Sequence, residues 1–380
     1  MESIKKIFSQ FIFPTSLLAS TIIGAGMFAL PYLFEKSGII LGLFYLIFFG
    51  LIFALIHLMY ADIIVRTPEN HRFPGYAKIY LGKFGYWSSI FMAIFGALLV
   101  LTVYLILSVS FINLIAPFLP VFYKIIIFWL IGSVALFWKI NELAFSEFLI
   151  FGGTAAIVLA VFGFGFGNFE KVFSLPIFDF KNSYLPFGAV LFSMYGRSAI
   201  PALLGYFRNN NESPINGKVP IILGSLAPAI IYILFIFGIL GLSEAVSEDS
   251  VSGISGNIPQ LVLLGLGFLG IICLWSTYIV IGRDIKKSLE HDFKFPWILS
   301  GLIVVVSPIL LYFSGFQNFL KLVEFSGAVI IGLEGIYIIL MWLKASKVES
   351  ENKFLTKLNP LIIYSLLLVF IGGIVYKLIY

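Results

Sequence analysis

The chain has 380 residues, of which 60% are hydrophobic and 11% charged. A soluble domain carries roughly 45–50% apolar and about 25% charged residues, so the solvent of this chain is lipid. The net charge of +5 does not mark a nucleic-acid binder, because the basic residues are dispersed in short loops between apolar runs.

Lys5-Lys6 and the apolar run behind them resemble a signal peptide, but the run continues through Tyr32 and reads as an uncleaved first span. Apolar stretches bounded by charges and Gly/Pro turns place eleven helices near 10–34, 38–65, 84–114, 120–138, 142–163, 184–206, 217–242, 259–282, 297–313, 317–343 and 358–378. The expected class is an all-α integral membrane protein without a large soluble domain. With the N-terminus in the cytoplasm, 17 of the 24 Lys and Arg fall on the inner side. Lys36, Lys124, Lys171, Lys181 and Lys377 fall outside, and Arg197 and Lys321 lie within spans. This asymmetry predicts a multi-pass protein of the cell membrane, N-terminus cytoplasmic and C-terminus external. Trp87, Trp138, Trp297 and Trp342 lie near the expected helix ends and read as interfacial anchors. Cys273 is the sole cysteine and the three histidines show no ligand spacing, so neither a disulfide nor a metal site is expected beyond an alkali cation.

The first span contains Gly26-Met27-Phe28-Ala29-Leu30-Pro31, and the sixth contains Gly196-Arg197-Ser198-Ala199-Ile200-Pro201. Ile39-Ile40-Leu41-Gly42 in the second span is echoed by Ile221-Ile222-Leu223-Gly224 in the seventh. An odd number of spans separates the copies, so they enter the membrane from opposite sides. That is the pattern of a 5+5 inverted repeat, residues 1–163 and 184–343, with residues 358–380 as an extra helix. Proline removes a backbone donor and glycine leaves helical geometry cheaply, so Gly24-Ala25-Gly26 before Pro31 and Tyr195-Gly196 before Pro201 predict breaks in helices 1 and 6. Freed N–H groups attract anions and freed carbonyls attract cations; two such breaks meeting at mid-membrane suit a zwitterion and a small cation.

Thr21 to Tyr32, with Lys36-Ser37-Gly38, resembles the opening of amino acid/auxin permease family members, within the amino acid–polyamine–organocation superfamily. It is similar also to bacterial aromatic amino acid permeases. Phe73-Pro74-Gly75-Tyr76, Leu81-Gly82, Gly85 and Ala199-Ile200-Pro201 share the likeness. The resemblance implies the leucine-transporter type of fold and secondary active transport of amino acids. It implies that a substrate carboxylate meets the N–H groups of Ala25, Gly26 and Met27. The amine then meets the carbonyls of Ile22, Ile23, Phe192 and Ser193. Tyr104 on the third span covers the site or donates its hydroxyl, unless it is a packed aromatic.

Arg197, beside Gly196, departs from the family pattern. A charge deep in a bundle needs a partner or a ligand. Either it reads a substrate side chain, or it pairs with Glu147, Glu324 or Glu334. For the coupling ion, the hydroxyls of Ser276 and Thr277 and the Cys273 carbonyl are expected to face the carbonyls of Ser20 and Ile23. In sodium-coupled relatives this arrangement forms the ion site, whereas some proton-coupled relatives place a lysine from the fifth span there. The fifth span has Gly152-Gly153-Thr154 and no interior lysine, which favours Na⁺ over H⁺; for a proton, Glu147, Glu334 or His57 would serve. His57 and Asp62 read as satisfied structural groups.

The expected function is alternating-access transport of an amino acid coupled to Na⁺ or H⁺, without other cofactors. The alternative is a transporter-like amino acid sensor without net transport. A channel lacks its pore-lining stripes here, and no H-E-x-x-H or G-x-S-x-G pattern points to an enzyme.

Overall fold

A computed structural model describes residues 6–137, 143–168, 170, 172, 174–254 and 258–379. Lys5, Trp138 and Lys171, named above, lie outside the described residues. The described chain is helical with turns, as lipid requires of backbone groups that must satisfy one another. Among the described residues, eight helices are long and apolar enough to cross a membrane: Ile39–Arg66, Phe73–Ile115, Phe145–Phe166, Pro186–Asn209, Pro214–Leu242, Gln260–His291, Phe319–Ala345 and Pro360–Ile379. The pair Phe8–Ile22 and Ala25–Ser37, bent by 49°, counts as a ninth if it is one span, and the shorter apolar helices Val121–Ala135 and Trp297–Phe313 lie where the remaining two spans are expected.

The first span breaks where expected. The helix Phe13–Ile22 ends at Ile23, which turns at φ −73° and ψ 84° so that the Gly24 N–H donates to the Ile22 carbonyl at 2.8 Å. This is an inverse γ-turn. Gly24 is extended, and a 3₁₀ turn over Ala25–Ala29 leads into Leu30–Ser37, with Pro31 in its first turn. The sixth span breaks after Pro186–Ser193. Met194 to Gly196 leave the helix, Arg197–Ala199 form a 3₁₀ turn, and Ile200–Asn209 resumes with Pro201 in its first turn.

Three expectations need correction. The segment Phe73-Pro74-Gly75-Tyr76 is a helix start and not a loop; its helix is separated at Gly82 from the third span, which runs on from the expected start near 84. Pro74 fits the first turn, Phe73, Tyr76 and Ala77 are buried, and Gly82 (φ +78°) turns the chain into the membrane. The eighth span runs to His291 rather than 282; its polar extension carries an i,i+4 pair, Lys286–Glu290 at 3.9 Å. Trp342 is not an interfacial anchor. It is buried, and its indole N–H donates to Asp62 at 2.8 Å. Trp87 and Trp297 are exposed.

The spans around the breaks pack by glycine. A Cβ on Gly327 in the tenth span would strike the Gly188 carbonyl of the sixth, and one on Gly188 would strike the Glu324 carbonyl. Backbones in that contact hold the sixth and tenth spans close beside the second break. The eleventh span is peripheral. Leu361, Leu368 and Leu378 are exposed, while Lys377 pairs with Glu324 at 2.7 Å.

Candidate substrate and ion site

The two breaks touch. A Cβ on Gly196 would meet the Ile22 side chain at 2.6 Å, and one on Gly26 would meet the Ser193 hydroxyl at 2.6 Å. Ile22, Ile23, Ala25, Met27, Phe192, Ser193 and Tyr195 are all buried there. Tyr104 lies on the same spot: a Cβ on Gly24 would strike its hydroxyl. The Thr277 side chain lies against Gly24 beside it. The Tyr104 hydroxyl therefore stands at the N–H end of the first break, where a carboxylate is expected. Two turns further along the third span, the Phe111 ring meets Phe28 at 4.8 Å, and Phe235 meets Phe28 at 5.3 Å. Beyond this aromatic lid lies a cavity of about 310 Å³ lined by Leu107, Ser110, Asp249, Gln317 and Asn318 among others.

The carbonyl end holds a residue that sequence reading missed. Tyr232 on the seventh span, wholly buried, places its hydroxyl 2.8 Å from the Ile22 carbonyl and 2.9 Å from the Ser193 carbonyl. Nothing in the periodicity of an apolar span singles out one tyrosine for this place.

The five groups expected around a cation do converge, but on protein partners. The Thr277 hydroxyl lies 3.5 Å from the Ser20 carbonyl and 3.3 Å from the Cys273 carbonyl. The Cys273 thiol, not its carbonyl, reaches the Ile23 carbonyl at 2.9 Å. The Ser276 hydroxyl turns to Glu147 at 2.6 Å, and the Ser20 hydroxyl meets the other oxygen of the same carboxylate at 2.6 Å. Glu147, from the fifth span, thus bridges the first and eighth spans.

Arg197 is fully paired. Its Nε donates to Glu334 at 2.7 Å, one terminal nitrogen to Asp284 at 3.3 Å, and the other to the Tyr195 hydroxyl at 2.9 Å. The guanidinium stacks over the Phe73 ring at 4.7 Å, and Asp284 is shared with Arg72 at 3.4 Å. Of the three partners weighed above, Glu334 is the one that pairs. Glu147 belongs to the serine bridge and Glu324 to Lys377. Asp284 was missed because it lies beyond the expected end of the eighth span. His57 bonds Ser225 at 2.8 Å, and Asp62 accepts from Arg66, Trp342 and the Phe354 N–H, so both have structural partners.

An all-α bundle with two broken spans meeting at buried main-chain ends is the architecture of a secondary transporter of the leucine-transporter type, and solved structures bear out the fold. The chain is similar to MhsT, solved in complex with L-phenylalanine, at TM-score 0.71 and 14% identity, over 97% of this chain and 98% of that one. It is similar to Mhp1, a nucleobase-cation-symport-1 family transporter solved closed with bromovinylhydantoin, at TM-score 0.67 and 14% identity, over 96% and 89%. A manganese transporter of Eremococcus coleocola, solved with an aromatic bis-isothiourea substituted compound, follows at TM-score 0.60 and 14% identity, over 100% and 96%. No curated protein matches the chain in sequence. The sequence model of the Tryptophan/tyrosine permease family matches residues 8–379, so the chain belongs to that family. It is an amino acid permease, a secondary transporter and not an enzyme.

Proposed function

We propose that this permease carries aromatic amino acids, tryptophan or tyrosine, together with a proton, at the meeting point of the two breaks. The family points to the substrates, and the rings of Tyr104 and Phe192 lie against Gly24 and Gly26 of the first break. In this reading the substrate carboxylate lies at the Ala25–Met27 N–H groups under Tyr104, and the amine at the Ile22 and Ser193 carbonyls. Residues 1–163 and 184–343 are taken as the two inverted repeats, with 358–380 outside them. The N-terminus is cytoplasmic and the membrane is that of the cell.

The observation that carries the proton is the Glu147 carboxylate held between the Ser20 and Ser276 hydroxyls. An alkali cation needs oxygens that are free to turn toward it. Here the Ser276 hydroxyl faces a carboxylate, and the Ile23 carbonyl accepts a thiol. A carboxyl group between two hydroxyls binds and releases one positive charge without a cation cage, and burial makes that charge change felt by the first, fifth and eighth spans. This reverses the preference for Na⁺ drawn from the missing lysine: the fifth span supplies an acid in place of a base.

The test is uptake of labelled tryptophan into proteoliposomes. With choline replacing Na⁺, an acid-outside gradient is expected to drive accumulation. Glu147→Gln is expected to abolish accumulation while leaving tryptophan exchange. A strict requirement for a Na⁺ gradient overturns the proton. Saturable binding with no flux in any gradient makes the protein a sensor instead.

A further inference from the structure

We infer that Tyr232 is the positioning residue for the substrate's ammonium group; this rests on the reading that the two breaks bind an amino acid. Ile22 and Ser193 each close the first half of a broken span. Their carbonyls are helix-end carbonyls, which carry the negative end of the helix dipole. Two such ends facing one another repel unless a donor sits between them. Tyr232 supplies it, with one oxygen 2.8 and 2.9 Å from the two carbonyls.

A hydroxyl has one proton and two lone pairs. It serves one carbonyl at a time and leaves a lone pair of the other open to a second donor, the Ile22 carbonyl keeping one of its two for the Gly24 N–H. Its own lone pairs accept no bond among the described residues. An ammonium has three N–H donors. One N–H goes to the carbonyl that the hydroxyl does not serve, and a second goes to the Tyr232 oxygen. The hydroxyl therefore fixes the distance between the carbonyls before the substrate arrives and becomes a ligand once it has arrived. Both carbonyls lie across the break from the Ala25 N–H and the Tyr104 hydroxyl, where the carboxylate goes. The two charges of an α-amino acid are separated by one carbon, which suits groups on the two sides of one break.

The experiment compares L-tryptophan with indole-3-propionate, the same molecule without its amine, in binding to the purified full-length protein. Tyr232→Phe is expected to weaken tryptophan by about tenfold to a hundredfold, the worth of one hydrogen bond to a charged group, and to leave indole-3-propionate unchanged. Placing 4-aminophenylalanine at 232 returns a donor but only a poor acceptor on the same ring and is expected to restore part of the tryptophan affinity. Tryptophan binding that survives Tyr232→Phe overturns the inference. So does equal weakening of both ligands, or a 4-aminophenylalanine protein that binds tryptophan as weakly as the phenylalanine variant. If Tyr232→Phe does not fold, the 4-aminophenylalanine protein decides: tryptophan binding weakened while indole-3-propionate is unchanged supports the inference, and equal weakening of both, or of neither, overturns it. Wild-type protein that binds neither ligand overturns the site reading itself, a result distinct from these.

Discussion

Arg197 shows what a single residue does when it is charged and out of reach of water. Its guanidinium has a carboxylate on each side, a hydroxyl and a ring face, so its charge and most of its N–H donors are matched. Removing one partner of such a buried set costs about 3–5 kcal/mol, because the remaining charge stays buried without compensation. Arg197→Ala is therefore expected to lower the thermal unfolding midpoint sharply and to leave tryptophan-over-tyrosine preference intact. The double variant Arg197→Ala with Glu334→Ala is expected to recover part of the loss. Thermal melting in detergent and competition binding check both; a changed preference in a stable single variant would instead assign Arg197 to the substrate. The sequence exposed this question, since an arginine and a glutamate in apolar runs stand out. It did not expose Asp284. That residue entered the cluster because the eighth helix continues past the membrane-length limit, with no breaker before Asp292. Glu147 was visible as an acid in the fifth span, but its place between Ser20 and Ser276 depends on contacts 127 and 129 residues apart in the chain, beyond any local pattern.

At the scale of elements, the breaks were the most legible feature, because Gly and Pro act on their own backbone. The γ-turn at Ile23 and the extended Gly24 follow directly from that local chemistry. What the pattern did not show is which neighbour presses on each break. Gly24 has φ −128°, which alanine adopts without strain. Its need for glycine is steric, since a Cβ would strike the Tyr104 hydroxyl. Gly24→Ala is expected to reduce tryptophan uptake by about tenfold or more, the cost of overpacking a tight contact. Adding Tyr104→Phe removes the atom struck and is expected to recover part of the protein's folded yield, though not the carboxylate contact. Size-exclusion profiles and uptake rates of the two variants, side by side, measure this; a Gly24→Ala protein with normal uptake would show that Tyr104 does not close on the break. A similar logic applies outside the membrane core. Asp249 in the loop after the seventh span accepts from the hydroxyls of Ser110, Ser247 and Ser252. Burial raises its carboxyl pKa, but these bonds outweigh burial and hold it below the usual carboxylate range. A depressed folded-state value means stability present above the unfolded value and lost as pH falls through the folded one. Asp249→Asn is expected to flatten that acid-side loss of stability, read from melting temperature against pH.

For the whole molecule, the two ends of the bundle differ. Toward one end the site is covered by apolar rings, Phe28 against Phe111 and Phe235. Toward the other it is covered by charges: Arg197 of the sixth span, Asp284 of the eighth, Glu334 of the tenth and Arg72 before the third. Alternating access requires each cover to part in turn, and the charged one ties four segments that must move relative to one another. Phe73, stacked on Arg197, joins the helix Phe73–Ile90 to the same knot. The basic residues around this end are those that orient the chain, so it is the cytoplasmic one in the reading given above. Ser198, buried and with a hydroxyl that has no hydrogen-bond partner among the described residues, lies one residue from the clamp and reports on it. In a Cys273→Ser background, Ser198→Cys is expected to react slowly with a membrane-impermeant thiol reagent. Adding Asp284→Asn weakens the bonds from Arg197 and Arg72 and is expected to raise labelling about tenfold, the scale of one lost hydrogen bond to a charged group. The increase is expected in inside-out vesicles and not in right-side-out ones. Labelling that stays slow in both would leave the charges as glue without a gating role. Labelling that rises only from the outer face would invert the proposed orientation of the chain.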